Sequence, residues 1–168
     1  MTYRLPILIV LLAVLATAIP AAAVIDVNAV GAVDFQGSLD FDALSSNTNP
    51  GFTLGLEIMF DVPVVELGAG LEYGFPRAVN GGGNVEYWNL YGIARLFILG
   101  KLYLAGRLGY HGASANDFLE GDLSDNGVSW SAGVGLGILK KLKVELLYSD
   151  FGSDLDYQTW SVRAVYTF

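Results

Sequence analysis

The sequence predicts an all-β protein, an eight-stranded antiparallel up-and-down transmembrane β-barrel. Three observations support this prediction: apolar and polar residues alternate within successive segments, aromatic residues recur at one end of the segments, and long connections alternate with short ones. Because successive side chains of a strand point to opposite faces, each segment has one apolar and one polar face. This pattern is typical of a barrel whose outer face contacts lipid.

Eight segments after residue 23 carry the alternation. Tight turns are predicted at Asp61-Val62-Pro63, Gly100-Lys101 and Lys140-Lys141, whereas the other connections are longer and polar. An even number of strands brings both chain ends to the rim that carries the tight turns. The predicted strands are Ile25–Phe35, Phe52–Phe60, Val65–Phe75, Val85–Ile98, Leu102–His111, Val128–Ile138, Leu142–Ser149 and Tyr157–Phe168.

Residues 1–23 are predicted to be a cleaved signal peptide rather than part of the fold. Arg4 supplies a positive charge, an apolar run follows from Leu5 to Ile19, and Ala21-Ala22-Ala23 fits a signal peptidase site. The run is shorter than the roughly 20 residues that a membrane-spanning helix needs. We therefore expect the mature domain to comprise residues 24–168.

The charge balance and the absence of cysteine exclude several classes of protein. Without Arg4, 8 basic residues face 17 acidic ones, so the net charge of residues 24–168 is −9. Nucleic-acid binding would require a basic patch, so no nucleic acid is expected as a partner. With no Cys there is no disulfide framework and no lipidated N-terminal cysteine.

Aromatic residues stand on the apolar face at the long-loop end of each predicted strand. Amphipathic rings settle at the membrane–water interface, which predicts a membrane-interface girdle. A soluble barrel such as a lipocalin would instead place its apolar face inside. The predicted girdle consists of Phe35, Phe52, Tyr73, Phe75, Trp88, Tyr110, Trp130, Tyr148 and Trp160.

The polar faces of the strands predict a charged barrel interior. Eight strands enclose a space that side chains alone can fill, and buried charges must pair because an isolated one is costly. One interpretation is therefore a network of ion pairs that plugs the lumen. The alternative is a narrow channel for ions or small solutes, helped by small inward residues of the third and sixth strands. The predicted lumen network consists of Asp26, Asp34, Glu57, Glu66, Glu72, Arg95, Arg107, Lys143, Glu145 and Arg163.

The single histidine and the acidic loops allow two further hypotheses. His111 could act as a catalytic base with Ser114, Ser129 or Ser131 as nucleophile, although no nucleophile motif supports this role. The loop acids could bind a divalent cation that bridges to lipopolysaccharide, but the spacing from Asp117 to Asp125 does not match the calcium-loop motif. Solvated surface charge is the simpler interpretation. We expect no catalytic residues, no resident metal and no cofactor.

Taken together, the leader, the eight strands, the girdle and the ending Tyr166-x-Phe168 resemble the small outer-membrane β-barrel family of the OmpA transmembrane-domain and OmpX type, and porin-like barrel domains more broadly. The resemblance covers Val24 to Phe168. It implies that Tyr166 and Phe168 form an assembly signal read by the barrel-assembly machinery. It does not extend to the peptidoglycan-binding domain of full-length OmpA-like proteins, so cell-wall tethering is not implied.

The resemblance implies an outer-membrane protein of a Gram-negative-type bacterium with both chain ends in the periplasm. Its expected role is non-enzymatic: a monomer that contributes to envelope structure and contacts a surface ligand through its loops. Its expected surroundings are outer-membrane lipid and lipopolysaccharide. Eight-stranded lipid A enzymes of the PagP and PagL kind are the enzymatic alternative. The His-x-Ser motif of the PagL kind is absent, since Gly-Ala-Ser follows His111.

Overall fold

The computed structural model shows a closed β-barrel. The predicted signal peptide lies outside the residues that it describes, and none of the described residues forms a helix that is long and apolar enough to cross a membrane. The described residues are 24–41, 44–62, 64–80, 83–118, 121–152 and 156–168.

The described chain forms one antiparallel sheet in which each strand pairs with its neighbours in the sequence, except around β2. The first and last strands also pair, which closes the barrel. The strands are β1 (Val24–Phe41), β2 (Leu44–Thr48), β3 (Gly51–Val62), β4 (Val65–Ala78), β5 (Asn84–Leu99), β6 (Leu102–Phe118), β7 (Gly121–Leu139), β8 (Leu142–Gly152) and β9 (Asp156–Thr167).

Pairing of the last strand with the first confirms that the chain closes into the predicted barrel. Residues 28–35 of β1 pair with residues 160–167 of β9, and Phe168 N donates a hydrogen bond to Val27 O (3.0 Å). Val24 pairs with Asp61 beside the first tight turn. Both ends of the described chain therefore lie at the rim of tight turns, and no strand edge of the barrel wall is left open at this seam.

The second strand of the barrel is built from two pieces, β2 and β3. The lower part of β1 pairs with β3 up to Asp34↔Gly51, and its upper part pairs with β2 from Gly37↔Thr48 onward. Pro50 lies between the pieces and cannot donate a ladder hydrogen bond. The wall thus has eight positions, as predicted, although nine strands are formed. The polar stretch around Asn47 was predicted as a loop and is instead partly β2.

The alternation of the sequence places the charged side chains inside. On β3, Leu54 and Leu56 are 57% and 60% exposed, whereas their neighbours Thr53 and Glu57 are 0% exposed. The same alternation continues along β5 and β9. The outer face is therefore apolar and the interior polar, which is the inverse of a soluble barrel.

Two of the three tight turns lie where they were predicted. Lys101 and Lys140-Lys141 form turns between Leu99↔Leu102 and Leu139↔Leu142. The prediction for Asp61-Val62-Pro63 was wrong in its bounds, because Asp61 and Val62 still pair with Glu66 and Val65. Pro63 lies outside the described residues, and Val64 adopts a left-handed φ of 78°.

The prediction of a long loop over Gly112–Gly127 was also wrong, because β6 and β7 continue through most of it. Their ladder extends from His111↔Gly127 to Ala115↔Leu123 and Phe118↔Gly121. Beyond the membrane both faces of a hairpin can be solvated, so its sequence needs no alternation even though the backbone pairing persists. The strands therefore project past the ends that hydrophobic periodicity indicated.

Candidate functional site

A network of buried charges occupies the middle of the barrel interior. Arg95 on β5 contacts three of its carboxylates and is fully buried. Its Nη2 lies 2.6 Å from Glu57 Oε2, its Nε 2.7 Å from Glu145 Oε1 and its Nη1 3.5 Å from Glu66 Oε2. These carboxylates come from β3, β8 and β4, so one guanidinium connects both sides of the barrel.

Three further cations complete this central network. Arg107 Nη2 lies 3.1 Å from Glu57 Oε1 and 3.0 Å from Glu145 Oε2, and its Nη1 lies 3.3 Å from Glu72 Oε2. Arg163 pairs with Glu72, and Lys143 pairs with Glu66. We define the central network as Glu57, Glu66, Glu72, Arg95, Arg107, Lys143, Glu145 and Arg163.

The central network carries no net formal charge, since its four cations face four carboxylates. Tyrosine hydroxyls occupy further acceptor positions: Tyr91 donates to Glu57 (3.0 Å) and Tyr103 donates to Glu145 (3.1 Å). The ring of Tyr91 also lies under the Arg107 guanidinium, 4.7 Å from its centroid. Buried ions are tolerated when they are paired and hydrogen-bonded in this way.

Two members of the predicted lumen set lie apart from the central network. Asp34 is buried nearer the long-loop rim, where it pairs with Arg77 at 2.8 Å and accepts a hydrogen bond from Thr53 Oγ1 at 2.7 Å. Asp26 is half-buried and forms no ion pair with a described residue. Arg77 was missed because the sequence placed it in a loop.

A layer of buried, mostly apolar side chains inside the barrel, which we call the outer layer, covers the central network on the long-loop side. The ring of Phe151 lies 4.6 Å from Tyr87 and 5.6 Å from Tyr157, centroid to centroid. Arg77 Nη1 donates to Tyr157 Oη (2.7 Å), which ties the Asp34–Arg77 pair to this layer. The layer draws residues from six strands or their ends, so it extends across the interior. Its members are Leu39, Val79, Val85, Tyr87, Ala113, Phe151 and Tyr157.

Inward glycines of β4 and β7 accommodate tyrosines from the neighbouring strands. Gly74 pairs with Tyr87 and Gly135 pairs with Tyr103. A Cβ added to either glycine would stand 2.2 Å from a ring carbon of its tyrosine. These small residues supported the channel interpretation in the sequence, but the structure shows that rings lie over them. They leave no open path at these two positions.

The predicted girdle residues lie on the outer face near the long-loop end. Phe35 and Tyr148 are half-buried, and the other seven are exposed. Trp130 and Trp160 both pack against Tyr148, with ring centroids 5.5 and 5.4 Å away, and Trp88 lies 6.1 Å from Tyr110. Tyr166 and Phe168, the predicted assembly signal, pack edge to face at the opposite rim. The roles of both sets remain predictions.

His111 is buried inside the barrel beside the outer layer. Its ring lies 5.2 Å from that of Phe151, and neither ring nitrogen has a hydrogen-bond partner among the described residues. Ser129 donates to Asn89 and Ser131 donates to Ser149. These two candidate nucleophiles are therefore not bonded to the histidine.

The surface charges are separated between the two rims. The central network and the Asp34–Arg77 pair use five of the eight bases after residue 23, so only Lys101, Lys140 and Lys141 remain, and all three are exposed on tight turns. By sequence position, ten of the twelve remaining acids fall in or next to the segments predicted as long connections. The side chains of Asp117, Glu120 and Asp122, which carry the divalent-cation hypothesis, lie outside the described residues.

Solved structures with the same barrel are known from several bacteria. Ail, the attachment invasion locus protein of Yersinia pestis, has a TM-score of 0.64 and 17% identity over 86% of this chain and 98% of its own. Neisserial surface protein A has a TM-score of 0.60 and 15% identity over 88% and 99% of the two chains. The N-terminal barrel domain of Pseudomonas aeruginosa OprF has a TM-score of 0.54 and 15% identity over 85% and 99%. At these identities the likeness concerns the fold.

No curated protein sequence matches this chain. The family model described as "Outer membrane protein beta-barrel domain" matches residues 9–168, which is nearly the whole sequence. The apolar outer face, the charged interior and the closed meander are the features that a barrel of the outer membrane requires. The chain therefore belongs to the outer membrane protein beta-barrel domain family.

Proposed function

We propose that the protein is a non-enzymatic, sealed barrel that contributes to envelope structure and contacts surface ligands through its acidic loops. The observation that carries the seal is the central network, in which Arg95 and Arg107 connect carboxylates on β3, β4 and β8. An ion that entered would have to displace paired, buried charges. The outer layer adds a second, apolar barrier on the long-loop side.

The seal is tested by planar-bilayer recording of the purified, folded protein. We expect no stable unitary conductance from the wild type. The double variant Glu72→Ala/Arg163→Ala removes one ion pair as a whole, so it leaves no lone buried charge. We expect this variant to increase the ion current across the bilayer. Leu71→Ala, whose side chain points outward beside Glu72, is the matched control and should stay silent. Stable unitary conductance in the wild type would overturn the seal and support the channel.

The surface ligand we propose is cationic. The segments that the sequence predicted as long connections contain one base, Arg77, and the structure buries that residue in β4. The same segments contain nine acids. The structure of Ail has been solved with sucrose octasulfate, a heparin analogue. A polyanion of that kind would find no exposed cation at the long-loop rim of this chain, whereas a basic segment of a partner protein would find many carboxylates.

The assignment as a non-enzyme is supported by the interior. His111 has no serine partner among the described residues, and an acyl-binding pocket would require an open apolar cavity where the outer layer is packed. Mass spectrometry of lipid A from cells with and without the protein tests this part. We expect identical lipid A in both; a lost or added acyl chain that depends on the protein would support the enzymatic alternative.

We also propose an orientation in the outer membrane in which the tight-turn rim faces the periplasm.

A further inference from the structure

The three exposed lysines lie on two adjacent turns of the tight-turn rim. Lys101 belongs to the turn between β5 and β6, and Lys140 with Lys141 forms the turn between β7 and β8. The backbone connects these turns, because Lys101 O accepts a hydrogen bond from Gly137 N (2.9 Å), three residues before Lys140. The lysines therefore form one patch on a single side of the barrel mouth.

No carboxylate of the described residues pairs with this patch. The acids of the tight-turn rim that lie outside the central network are Asp26 and Asp61, which belong to β1 and β3 on another side of the barrel. Lys143, the nearest cation along the chain, is already bound to Glu66 inside the barrel. The three ammonium groups thus remain available for an external anion.

Beside the lysine patch lies a collar of exposed apolar side chains. Leu99 and Leu139 are 73% and 65% exposed at the bases of the two turns, and Phe168, which follows β9, is 68% exposed. Apolar side chains at a barrel rim mark the edge of the hydrocarbon layer. A lysine just beyond such a collar extends its apolar stem along it and holds its ammonium at the level of the lipid headgroups.

We propose that Lys101, Lys140 and Lys141 form a binding site for the phosphate headgroup of an anionic glycerophospholipid. The acyl chains of that lipid would lie against Leu99 and Leu139 of the collar. Its phosphodiester would contact two or three of the lysine ammonium groups. This inference goes beyond the proposed sealed barrel and does not depend on it. The proposed orientation decides only which leaflet supplies the lipid, namely the periplasmic one.

The test uses native mass spectrometry of the full, folded barrel released from detergent. The protein is mixed with phosphatidylglycerol, with phosphatidylcholine of the same acyl chains, and with lipid A, and the retained lipids are counted. We expect the wild type to prefer phosphatidylglycerol over phosphatidylcholine. Each lysine should contribute about fivefold to this preference. The triple variant K101Q/K140Q/K141Q should lose it, and the charge-preserving K101R/K140R/K141R should keep it.

Two controls separate the site from folding and from general electrostatics. Asp61→Asn changes an exposed charge on the same rim and should keep the preference for phosphatidylglycerol. The shift between unheated and boiled samples on a gel reports that each variant is folded. If the triple variant does not fold, the single variants K101Q, K140Q and K141Q should each show a partial loss.

Three results would overturn the proposal. The first is equal retention of phosphatidylglycerol and phosphatidylcholine by the wild type. The second is an unchanged preference in the folded lysine-to-glutamine variants. The third is a wild type that retains lipid A in preference to phosphatidylglycerol, with this preference lost in the same variants. That result would assign the patch to lipopolysaccharide.

Discussion

Glu57 has more hydrogen-bond partners than the other carboxylates of the central network, counted among the described residues. Its two carboxylate oxygens accept hydrogen bonds from Arg95 Nη2 (2.6 Å), Arg107 Nη2 (3.1 Å) and Tyr91 Oη (3.0 Å). It is 0% exposed, so water cannot replace any of these partners. A buried ion pair adds little net stability by itself, but removing one partner leaves the other charge uncompensated.

Glu57→Gln should therefore destabilise the barrel strongly. The amide loses the negative charge and turns a donor toward two guanidinium groups, which should lower the free energy of unfolding by about 3 kcal/mol. Urea unfolding in lipid vesicles, followed by tryptophan fluorescence and by the heat-dependent gel shift, measures the change. Asp61→Asn, an exposed carboxylate at the end of the same strand, is the matched control and should change stability little. Equal stability of Glu57→Gln and wild type would contradict the structural importance of the network.

At the scale of strands, the tyrosine–glycine pairs fix how neighbouring strands approach inside the barrel. The ring of Tyr103 on β6 lies over Gly135 on β7, where a side chain would leave no room. The hydroxyl of the same tyrosine donates to Glu145, so the pair also positions the central network. Glycine is required at position 135 for close approach rather than for an unusual backbone conformation.

Gly135→Ala should cost about 1–3 kcal/mol of stability, because the ring of Tyr103 must move away from the backbone. Gly106→Ala offers a matched control in the adjacent strand: it points outward, and an added Cβ there would meet nothing within 4 Å. We expect Gly106→Ala to match the wild type in urea unfolding. Similar losses from both substitutions would mean that strand propensity, rather than ring contact, explains the effect.

The last strand offers a second prediction at this scale. Phe168 N bonds to Val27 O, and Thr167 Oγ1 donates to Asn28 Oδ1 (2.8 Å), so the end of the chain completes the seam with β1. Deleting Phe168 should reduce the amount of barrel in the outer membrane more than it changes any surface binding of the remaining protein. Quantitative blotting of membrane fractions measures this amount. Phe168→Trp keeps an aromatic ring at the end and should assemble normally; normal levels of the deletion variant would refute the assembly role.

For the whole molecule, the distribution of charge determines what each end of the barrel can contact. The interior is balanced, the tight-turn rim holds the three free lysines, and the long-loop half holds most of the remaining acids. A surface that carries charge of one sign attracts ligands of the opposite charge and repels ligands of the same charge, and salt screens both effects.

Sucrose octasulfate should therefore not bind to the folded K101Q/K140Q/K141Q variant in detergent, in which the lysine patch is removed. A lysine-rich peptide should bind to the wild type, and this binding should weaken as salt increases. Isothermal titration calorimetry measures both. A variant with Asp150→Asn and Asp156→Asn, at the long-loop ends of β8 and β9, should bind the peptide more weakly, and the K101Q/K140Q/K141Q variant should bind it as the wild type does. Tight binding of the octasulfate to the K101Q/K140Q/K141Q variant would contradict the charge assignment of the long-loop rim.

Periodicity alone was enough to predict the wall and its closure. Eight segments that alternate apolar and polar residues predict a closed barrel in a membrane. Every backbone group must be hydrogen-bonded there, and one face of each strand must contact lipid. It also indicated which charged side chains point inward from the central parts of the strands. Glu57, Glu72, Arg95, Arg107, Glu145 and Arg163 all lie inside.

The outer layer and Arg77 required the tertiary structure. The ladders shift register between Phe35 and Ser38 and between Gly74 and Arg77. A bulge of this kind reverses which residues face inward, so Leu39 and Arg77 point into the barrel where simple alternation would turn them out. Gly37 and Pro76 lie within these two shifts and are residues typical of bulges, but the new register depends on partners from other strands.

What the sequence determined by itself was therefore the architecture: the class of fold, the position of each strand in the wall, the apolar outside and the charged inside. These follow from local rules that each segment obeys independently. Only the tertiary structure decided which charges meet, that tyrosine rings cover Gly74 and Gly135, and where the lysines without an ion-pair partner among the described residues lie. Those features depend on distances across the barrel between residues far apart in the chain, such as the 91 positions that separate Glu72 from Arg163.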